Sequence, residues 1–125
     1  MNDNDFSAAV SERRFGGIAR LYGTDALNRF AAAHVCVVGV GGVGSWAVEA
    51  LARSGIGALT LIDLDNVAES NVNRQLHALT CDFGKAKVTA LHERILQINP
   101  ACRVTEIEDF VTEDNLPVLF RRPFD

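Results

Sequence analysis

Apolar residues recur along this chain with two different periods, which together predict alternating strands and helices. The valine-rich run from His34 to Val38 is typical of a central parallel strand that is buried on both faces. The run from Ala58 to Ile62 predicts a second strand. Between them, six positions have the spacing of one face of an amphipathic helix: Val43, Trp46, Ala47, Ala50, Leu51 and Ser54. Because Gly55 and Gly57 end this helix, the segment predicts a strand, helix, strand unit with a right-handed crossover.

Helical patterns also flank this unit on both sides. The first stretch, to Ala33, carries glycines at 16, 17 and 23, which favours one or two short helices over a single long one. The segment from 65 to 83 is polar and has no clear period. From residue 84 four apolar residues again share one helical face: Val88, Leu91, Ile95 and Ile98. We expect Asn99-Pro100 to stop this helix.

The last part of the chain predicts one more strand and one more helix. Residues Arg103 to Ile107 alternate as a third strand, and Thr112 is the expected N-cap of a short helix through Phe120. The fold class that results is α/β, a Rossmann-like parallel sheet with helices on both faces. We expect a helical segment at 1–33 and a Rossmann-like domain at 34–125, which is incomplete because 125 residues supply too few strands for a whole dinucleotide-binding fold.

Composition narrows the class of protein. A net charge of −4 gives no general attraction to nucleic acid, although a local basic patch could still hold an RNA. The cysteines Cys36, Cys81 and Cys102 are odd in number and lack CxxC spacing, so neither a disulfide framework nor a zinc site is expected. No apolar run approaches the roughly 20 residues that cross a bilayer, and the acidic start is unlike a signal peptide. A cytoplasmic protein without a membrane partner is therefore expected.

The glycine run from Gly39 to Gly44 is the strongest chemical signal in the chain, because it lies between a predicted strand and a predicted helix. The first glycine permits a tight turn, the next lets backbone N–H groups approach phosphate, and the last lets helix and strand pack. Asp63 follows the second strand, where an acid typically accepts hydrogen bonds from ribose hydroxyls. Asp65 could contact the ribose, cap a turn or be solvated. The pattern predicts a nucleotide site.

Residues beyond the second strand favour ATP over a nicotinamide cofactor. ATP has a third phosphate, and breaking its α–β bond requires donors on the leaving pyrophosphate. Asn71, Arg74 and Lys87 could supply these donors. Charge stabilisation by such groups is the usual contribution of a protein to transfer at phosphorus, and it needs no side-chain nucleophile.

Five segments together resemble the ubiquitin-activating-enzyme-like superfamily of adenylating enzymes, of the ThiF type: Arg14-Phe15-Gly16-Gly17, Gly39-Val40-Gly41-Gly42-Val43-Gly44, Asp63-Leu64-Asp65, Ser70-Asn71-Val72-Asn73-Arg74-Gln75 and Gly84-Lys85-Ala86-Lys87. Within it, residues 14–23 and 73–79 most resemble the tRNA threonylcarbamoyladenosine dehydratase family. Members of that family use ATP to cyclise the threonylcarbamoyl group of a modified adenosine, t6A, beside the tRNA anticodon. The resemblance implies an acyl-adenylate intermediate and tRNA carrying t6A as the partner.

The resemblance also implies roles for individual residues. It assigns the nucleotide loop to Gly39, Gly41, Gly42 and Gly44 and the ribose contact to Asp63. It assigns the ATP phosphates to Asn71, Arg74 and Lys87. An arginine near the amino terminus of relatives reaches the phosphates of the partner subunit, and Arg14 matches it best, with Arg13 second. A homodimer is therefore expected, with Arg14, Arg74 and Lys87 as the catalytic residues.

Relatives of this type are about twice as long as this chain or longer, so the resemblance implies that part of the site, including the metal ligand, lies beyond these residues. It places the aspartate that binds Mg²⁺ after a strand beyond Asp125, together with the pocket for the carboxylate substrate, and Asp125 itself is a poor substitute. No metal ligand is therefore expected within these residues. We expect the nucleotide-binding half of an enzyme, which binds ATP weakly or not at all and does not turn over tRNA alone. Its unpaired sheet edge favours self-association.

Three other functions stay open on the sequence. The acceptor of the adenylate could be the carboxyl-terminal glycine of a ubiquitin-like sulfur-carrier protein, with a carrier or a cysteine desulfurase-system protein as partner. An NAD-dependent oxidoreductase is a more remote alternative. The chain could also be a structural or binding module without catalysis of its own.

Overall fold

The computed structural model describes residues 3–125, with side chains described from residue 10 onward. The first two residues of the predicted 1–33 segment lie outside the described residues. The long elements in chain order are α1 (Asp3–Tyr22), α2 (Thr24–Ala32), β1 (His34–Val38), α3 (Gly44–Arg53), β2 (Ala58–Ile62), α4 (Lys87–Ile98), β3 (Arg103–Ile107) and α5 (Leu116–Leu119). Two 3₁₀ turns, Glu69–Asn71 and Thr80–Asp82, lie between β2 and α4. No helix in this part of the chain is both long and apolar enough to cross a membrane.

The three strands form one parallel sheet in the order β1-β2-β3, which confirms the predicted α/β class. His34 pairs with Ala58, and Ala58 with Arg103, so the strands start level and end level. Side chains alternate between the faces of a sheet. The face that carries Leu59 and Leu61 packs with α3 and α4 into the core. On the other face the His34 ring contacts Thr60, and Phe124 packs edge-on against His34.

The strand predicted as central and buried on both faces is at the edge of the described sheet. β1 pairs with β2 alone, its first four residues are half-buried, and Val38 is 53% exposed. β2 instead is central, and all five of its residues are buried. An apolar run shows that a strand can be buried, but its neighbours decide whether it is.

The predicted inner face of α3 is wrong. Val43 is 85% exposed and Trp46 53% exposed, whereas Ser45, Val48 and Ala52 are buried. The reason is the first residue of the helix, Gly44, which packs directly on the carbonyl of Gly39. This contact fixes the rotation of α3, so that Ser45, Val48 and Ala52 meet the sheet. Leu51 packs at the edge of the core, whereas the other apolar residues of the predicted stripe are exposed.

The amino-terminal segment also differs from its prediction, because α1 is one 20-residue helix that continues through Gly16 and Gly17. A helical glycine costs up to about 1 kcal/mol relative to alanine. Burial of Phe15, which is 4% exposed and packs on Gly55, offsets this cost. The break comes at Gly23, whose φ of +94° favours glycine, and α2 starts at the next residue.

The later elements follow the sequence pattern more closely. Val88, Leu91 and Ile95 are buried on one face of α4, Ile98 is half-buried, and the helix ends before Asn99. The third strand has the predicted bounds. The last helix begins at Leu116 instead of directly after Thr112. Thr112 and Asn115 exchange the reciprocal hydrogen bonds of a capping box, and this turn occupies the residues predicted to be helical.

Candidate nucleotide-binding site

The glycine loop, residues 39–44, lies at the carboxyl end of β1, beside the carboxyl ends of the other two strands. Open α/β sheets bind ligands at this edge. Gly39 has a φ of +83°, and its N–H donates to the carbonyl of Ile62 at 2.8 Å. A Cβ at Gly44 would overlap the carbonyl oxygen of Gly39 and lie 2.8 Å from its carbonyl carbon. Glycine is thus required at both ends of the loop, for different reasons.

Asp63 holds the loop in place with both of its carboxylate oxygens. One oxygen accepts the N–H of Val40 at 2.9 Å, and the other accepts the N–H of Asp65 at 2.8 Å. The residue is only partly buried, and each carboxylate oxygen can accept a second hydrogen bond. Asp63 therefore has a structural role that the sequence did not predict, and it retains acceptor capacity toward a ligand.

Two residues that the sequence analysis did not select also hold the loop. The Ser45 hydroxyl donates to the carbonyl of Gly41 and accepts the N–H of Leu76 at 3.2 Å. His77 is 2% exposed, and its Nε2–H donates to the carbonyl of Val40 at 2.8 Å. The segment after Arg74 thus supports the loop from below. The sequence signal was weak, because a serine and a histidine outside any motif are more often ordinary packing residues.

His77 makes the stability of this region depend on pH. Burial lowers the pKa of the imidazole below its ordinary value of 6.5, and the nearby charge of Lys87 lowers it further, while the hydrogen bond to Val40 opposes them. The unfolded chain takes up a proton around pH 6.5, and the folded chain does so only at lower pH, so stability falls as the pH decreases through 6.5.

We expect His77→Gln to weaken this dependence, because a glutamine amide still donates to the Val40 carbonyl but does not titrate. The free energy of unfolding of the unaltered chain should fall by up to about 1.4 kcal/mol more per pH unit below pH 6.5 than that of the variant. Urea denaturation between about pH 7.5 and 5.5 measures the two slopes. Equal slopes would show that folding does not lower the pKa of His77, and would contradict this prediction.

Lys87, the first residue of α4, is 6% exposed. Its backbone N–H donates to the carbonyl of Asp65 at 3.0 Å. Its ammonium has no hydrogen bond or ion pair with any side chain that the structure describes, although its charge acts on the nearby His77 ring. Buried charges are normally paired. A buried lysine without an acidic partner, beside a glycine loop, is therefore suited to an anionic ligand.

Arg74 and Asn71 lie on the segment that covers the loop. The methylene groups of Arg74 lie beside Gly42, and its guanidinium donates to the Ser70 carbonyl at 3.1 Å and the Asn73 side chain at 3.0 Å. Arg74 is exposed, so its remaining donors face solvent at the rim. Asn71 is 8% exposed, and its side-chain oxygen accepts the N–H of Ala68 at 3.0 Å. The structure thus brings Arg74, Asn71 and Lys87 to the same end of the sheet as the loop.

A cleft of about 180 Å³ opens beside the loop, and the sequence analysis identified only part of its lining. The lining residues are Val38, Gly39, Ile62, Asp63, Leu64, Asp65, Asp109, Phe110 and Val111. Phe110 follows β3 and is 57% exposed. A lone aromatic residue in a loop gives no signal in the sequence, because only the parallel register brings it next to Asp63. The cleft provides an aromatic ring and three aspartate residues at one opening.

The family comparison agrees with this geometry. The model described as the ThiF family matches residues 16–125. The chain belongs to the ThiF family. The family match covers the glycine loop, Asp63 and Lys87 together with all three strands.

Individual relatives of this ThiF-family chain are similar over a large share of its length. It is 65% identical over 104 residues to the tRNA threonylcarbamoyladenosine dehydratase of Escherichia coli strain K12, which covers 83% of the chain and 39% of that protein. It is 54% identical over 114 residues to the protein of the same name from Haemophilus influenzae, covering 91% and 44%. The crystal structure of E. coli tRNA N6-threonylcarbamoyladenosine dehydratase in complex with ATP matches with a TM-score of 0.89 at 60% identity, covering 90% and 46%. The chain spans less than half the length of each of these relatives.

Within a single copy of this ThiF-family chain, Arg14 lies far from the other predicted site residues. Its guanidinium donates to the carbonyls of Gln97 at 2.9 Å and Ile98 at 3.0 Å, at the carboxyl end of α4. Lys87 is at the opposite end of this 12-residue helix, about 18 Å away at 1.5 Å per residue. Arg13, the second candidate, is exposed on α1.

The free cysteines do not form a reactive centre in this family member. Burial raises the pKa of the Cys102 thiol to about 11, and burial also raises the pKa of Cys36. Cys81 is exposed. A thiol with a raised pKa is mostly protonated near neutral pH and reacts slowly.

Asp125 lies away from the glycine loop, since its carboxylate accepts the N–H of His34 at 2.8 Å, at the amino end of β1.

Proposed function

We propose that this chain is the nucleotide-binding part of an ATP-dependent tRNA threonylcarbamoyladenosine dehydratase that acts in the cytoplasm on tRNA carrying t6A. Two relatives carry that name, and a similar solved structure is a complex with ATP. The observation that carries the proposal is Lys87 at the nucleotide site, a residue only 6% exposed whose ammonium has no acidic partner among the described residues.

ATP fits this arrangement better than a dinucleotide because of the number of charges. Backbone N–H groups at the start of α3 donate hydrogen bonds to one or two phosphates of ATP or of a dinucleotide, and the helix dipole adds to this attraction. The triphosphate brings further negative charge, which Lys87 neutralises in a site of low dielectric, where such contacts are strong. Arg74 contributes its free donors from the rim, and Asn71 contributes its amide N–H₂.

The nucleoside part of ATP occupies the cleft beside the loop. Asp63 accepts hydrogen bonds from the ribose hydroxyls while it continues to hold Val40. The ring of Phe110 packs against the base, because stacking on an exposed aromatic face suits any purine. Gly39, Gly41, Gly42 and Gly44 leave the space that the diphosphate needs.

The proposed reaction activates a carboxylate. An oxygen of the threonyl carboxylate attacks the α-phosphorus, the α–β bond breaks, and pyrophosphate leaves. The neighbouring carbamoyl group then attacks the acyl carbon, the ring closes, and AMP leaves. Lys87 and Arg74 stabilise the charge that develops on the phosphates, which is the usual part of a protein in phosphoryl chemistry.

The described residues do not form a binding site for Mg²⁺. Among the described residues, no three His, Cys, Asp or Glu side chains come together as a group that could hold a metal ion. Asp63 therefore contributes to the proposed reaction as a ribose and loop contact and not as a metal ligand.

Arg14 can contact the nucleotide phosphates only in a second copy of the chain. Within one chain it lies at the far end of α4, so contact with phosphates requires a homodimer that brings Arg14 of one copy to the loop of the other. Arg14→Met should then lower ATP affinity only at protein concentrations that support dimers.

Parallel titration tests the choice of nucleotide. We expect ATP to bind at least about tenfold more tightly than NAD in isothermal titration calorimetry, since one charge-assisted contact is worth about 1.5–3 kcal/mol. AMP is the control ligand, because it keeps the nucleoside and lacks the phosphates that Lys87 serves. Equal or tighter binding of NAD would contradict the proposal and favour a nicotinamide enzyme.

The acceptor requires its own test. Fluorescence anisotropy should show binding of labelled tRNA carrying t6A and no binding of a ubiquitin-like sulfur-carrier protein at the same concentration. The opposite result would move the function to carrier-protein adenylation and leave the ATP site intact.

A further inference from the structure

A second cleft lies at the end of the molecule opposite to the glycine loop, and three arginines line it. We call it the arginine cleft, about 400 Å³, lined by Arg14, Phe15, Arg53, Arg94, Gln97 and Ile98. α3 and α4 both begin at the nucleotide site and end here. Ten to twelve helical residues at 1.5 Å each place the cleft about 15–18 Å from the loop.

Glu49 arranges two of these arginines side by side. One carboxylate oxygen accepts a hydrogen bond from Nε–H of Arg53 at 3.1 Å, and the other accepts one from Nε–H of Arg94 at 2.7 Å. The Glu49 side chain is only 11% exposed, so the pair is anchored from below. Both guanidinium groups bond through Nε, and their terminal nitrogens bond to none of the described residues; their side chains are 60% and 40% exposed.

The cleft is positive in a protein that is negative overall. Arg53 and Arg94 share the one carboxylate of Glu49, which leaves an excess of one positive charge on this pair without counting Arg14, whereas the chain carries −4. Phe15 is 4% exposed, so it presents little apolar surface to a partner. The free guanidinium nitrogens match the oxygens of phosphate groups, which arginine binds in a planar, forked geometry.

We propose that the arginine cleft binds phosphodiester groups of the RNA backbone, several nucleotides away from the adenosine that reacts at the loop. This inference rests on the proposed function, because it takes the acceptor to be a tRNA. Backbone contacts of this kind set the position of an RNA without reading its sequence. Arg53 and Arg94 supply the contacts, and Glu49 positions them.

The double variant Arg53→Gln, Arg94→Gln tests the cleft. We expect its affinity for labelled, unmodified tRNA to be roughly 25- to 60-fold lower near 0.1 M salt, with a salt slope that is lower by about 1.4–1.8, as for the loss of two phosphate contacts. The control is Arg29→Gln, Arg121→Gln, which removes the same charge from two exposed arginines elsewhere and should bind RNA nearly as the unaltered chain does. Equal loss in both variants would overturn the proposal.

Two further measurements separate this result from a loss of fold or of the nucleotide site. The charge-retaining variant Arg53→Lys, Arg94→Lys should keep most of the salt slope, and it would contradict the proposal if it bound RNA as weakly as the glutamine pair. ATP affinity should stay unchanged in all these variants, and a loss confined to the glutamine pair would attribute its weaker RNA binding to a disturbed fold and contradict the proposal. Failure of the unaltered chain to bind ATP would count against the proposed function alone.

The unaltered chain offers a test that needs no variant. Phenylglyoxal modifies accessible arginines, and mass spectrometry reports the rate at each position. RNA should slow the modification of Arg53 and Arg94 severalfold and leave Arg29 unchanged. Equal rates with and without RNA would show that no backbone phosphate occupies the cleft.

Discussion

Gly44→Ala is expected to lower the free energy of unfolding by more than about 4 kcal/mol, which is exceptional for a single substitution. The added Cβ would overlap the carbonyl oxygen of Gly39. That carbonyl cannot shift freely, because the N–H of Gly39 is bonded to Ile62 in the central strand. The helix would have to move away from the sheet and expose Val48. Thermal denaturation followed by circular dichroism measures the loss.

Gly42→Ala is the matched control in the same loop. A Cβ there meets only the flexible side chain of Arg74, at 3.8 Å, and the backbone is not in the region reserved for glycine. We expect a change within about 1 kcal/mol. Should the Gly44 variant melt within a few degrees of the Gly42 variant, the tight contact between helix and loop would be disproved.

Lys87→Met is expected to reduce ATP affinity by roughly 10- to 150-fold, the equivalent of one charge-assisted contact of 1.5–3 kcal/mol. The same variant should be as stable as the unaltered chain or more stable, because an unpaired buried charge costs free energy and methionine fills a similar volume. Isothermal titration calorimetry measures the lower ATP affinity, and urea denaturation measures the unchanged or higher free energy of unfolding. A structural lysine would instead lose stability without a specific effect on ATP.

Lys85→Met controls for the charge. Lys85 lies two residues earlier and is partly exposed, and its ammonium is paired with Glu93 at 2.8 Å and Asp82 at 3.0 Å. These carboxylates raise the pKa of Lys85 and already satisfy its charge. ATP affinity should change by less than about twofold, as expected for a partly exposed ion pair. An equal loss of ATP affinity in both variants would indicate a general charge effect in place of a site.

Much of the nucleotide site could be predicted from the sequence because its signals are local. The turn at Gly39 needs a positive φ, the packing at Gly44 excludes any side chain, and Asp63 follows a strand by one residue. Each of these requirements acts between residues that are adjacent or joined by one helix. The bounds of all three strands were predictable for the same reason, since each is a short apolar or alternating run.

Other features depended on distant contacts. The rotation of α3 follows from one backbone contact with Gly39, and it leaves Val43 and Trp46 of the predicted inner face exposed. The roles of Ser45 and His77 arise because residues 75–77 pass beneath the loop. No spacing rule links positions that far apart.

The sequence by itself thus determined the α/β class, the bounds of the three strands and the glycine loop that follows the first of them. Only the tertiary structure decided which side chains have free hydrogen-bonding groups. It left Lys87 buried without an acidic partner among the described residues, used Asp63 to hold the loop, and placed Arg14 at the far end of α4 beside Arg53 and Arg94. The physical reason is that periodicity and local backbone limits act over a few residues, whereas burial and pairing of charges depend on which distant segments meet.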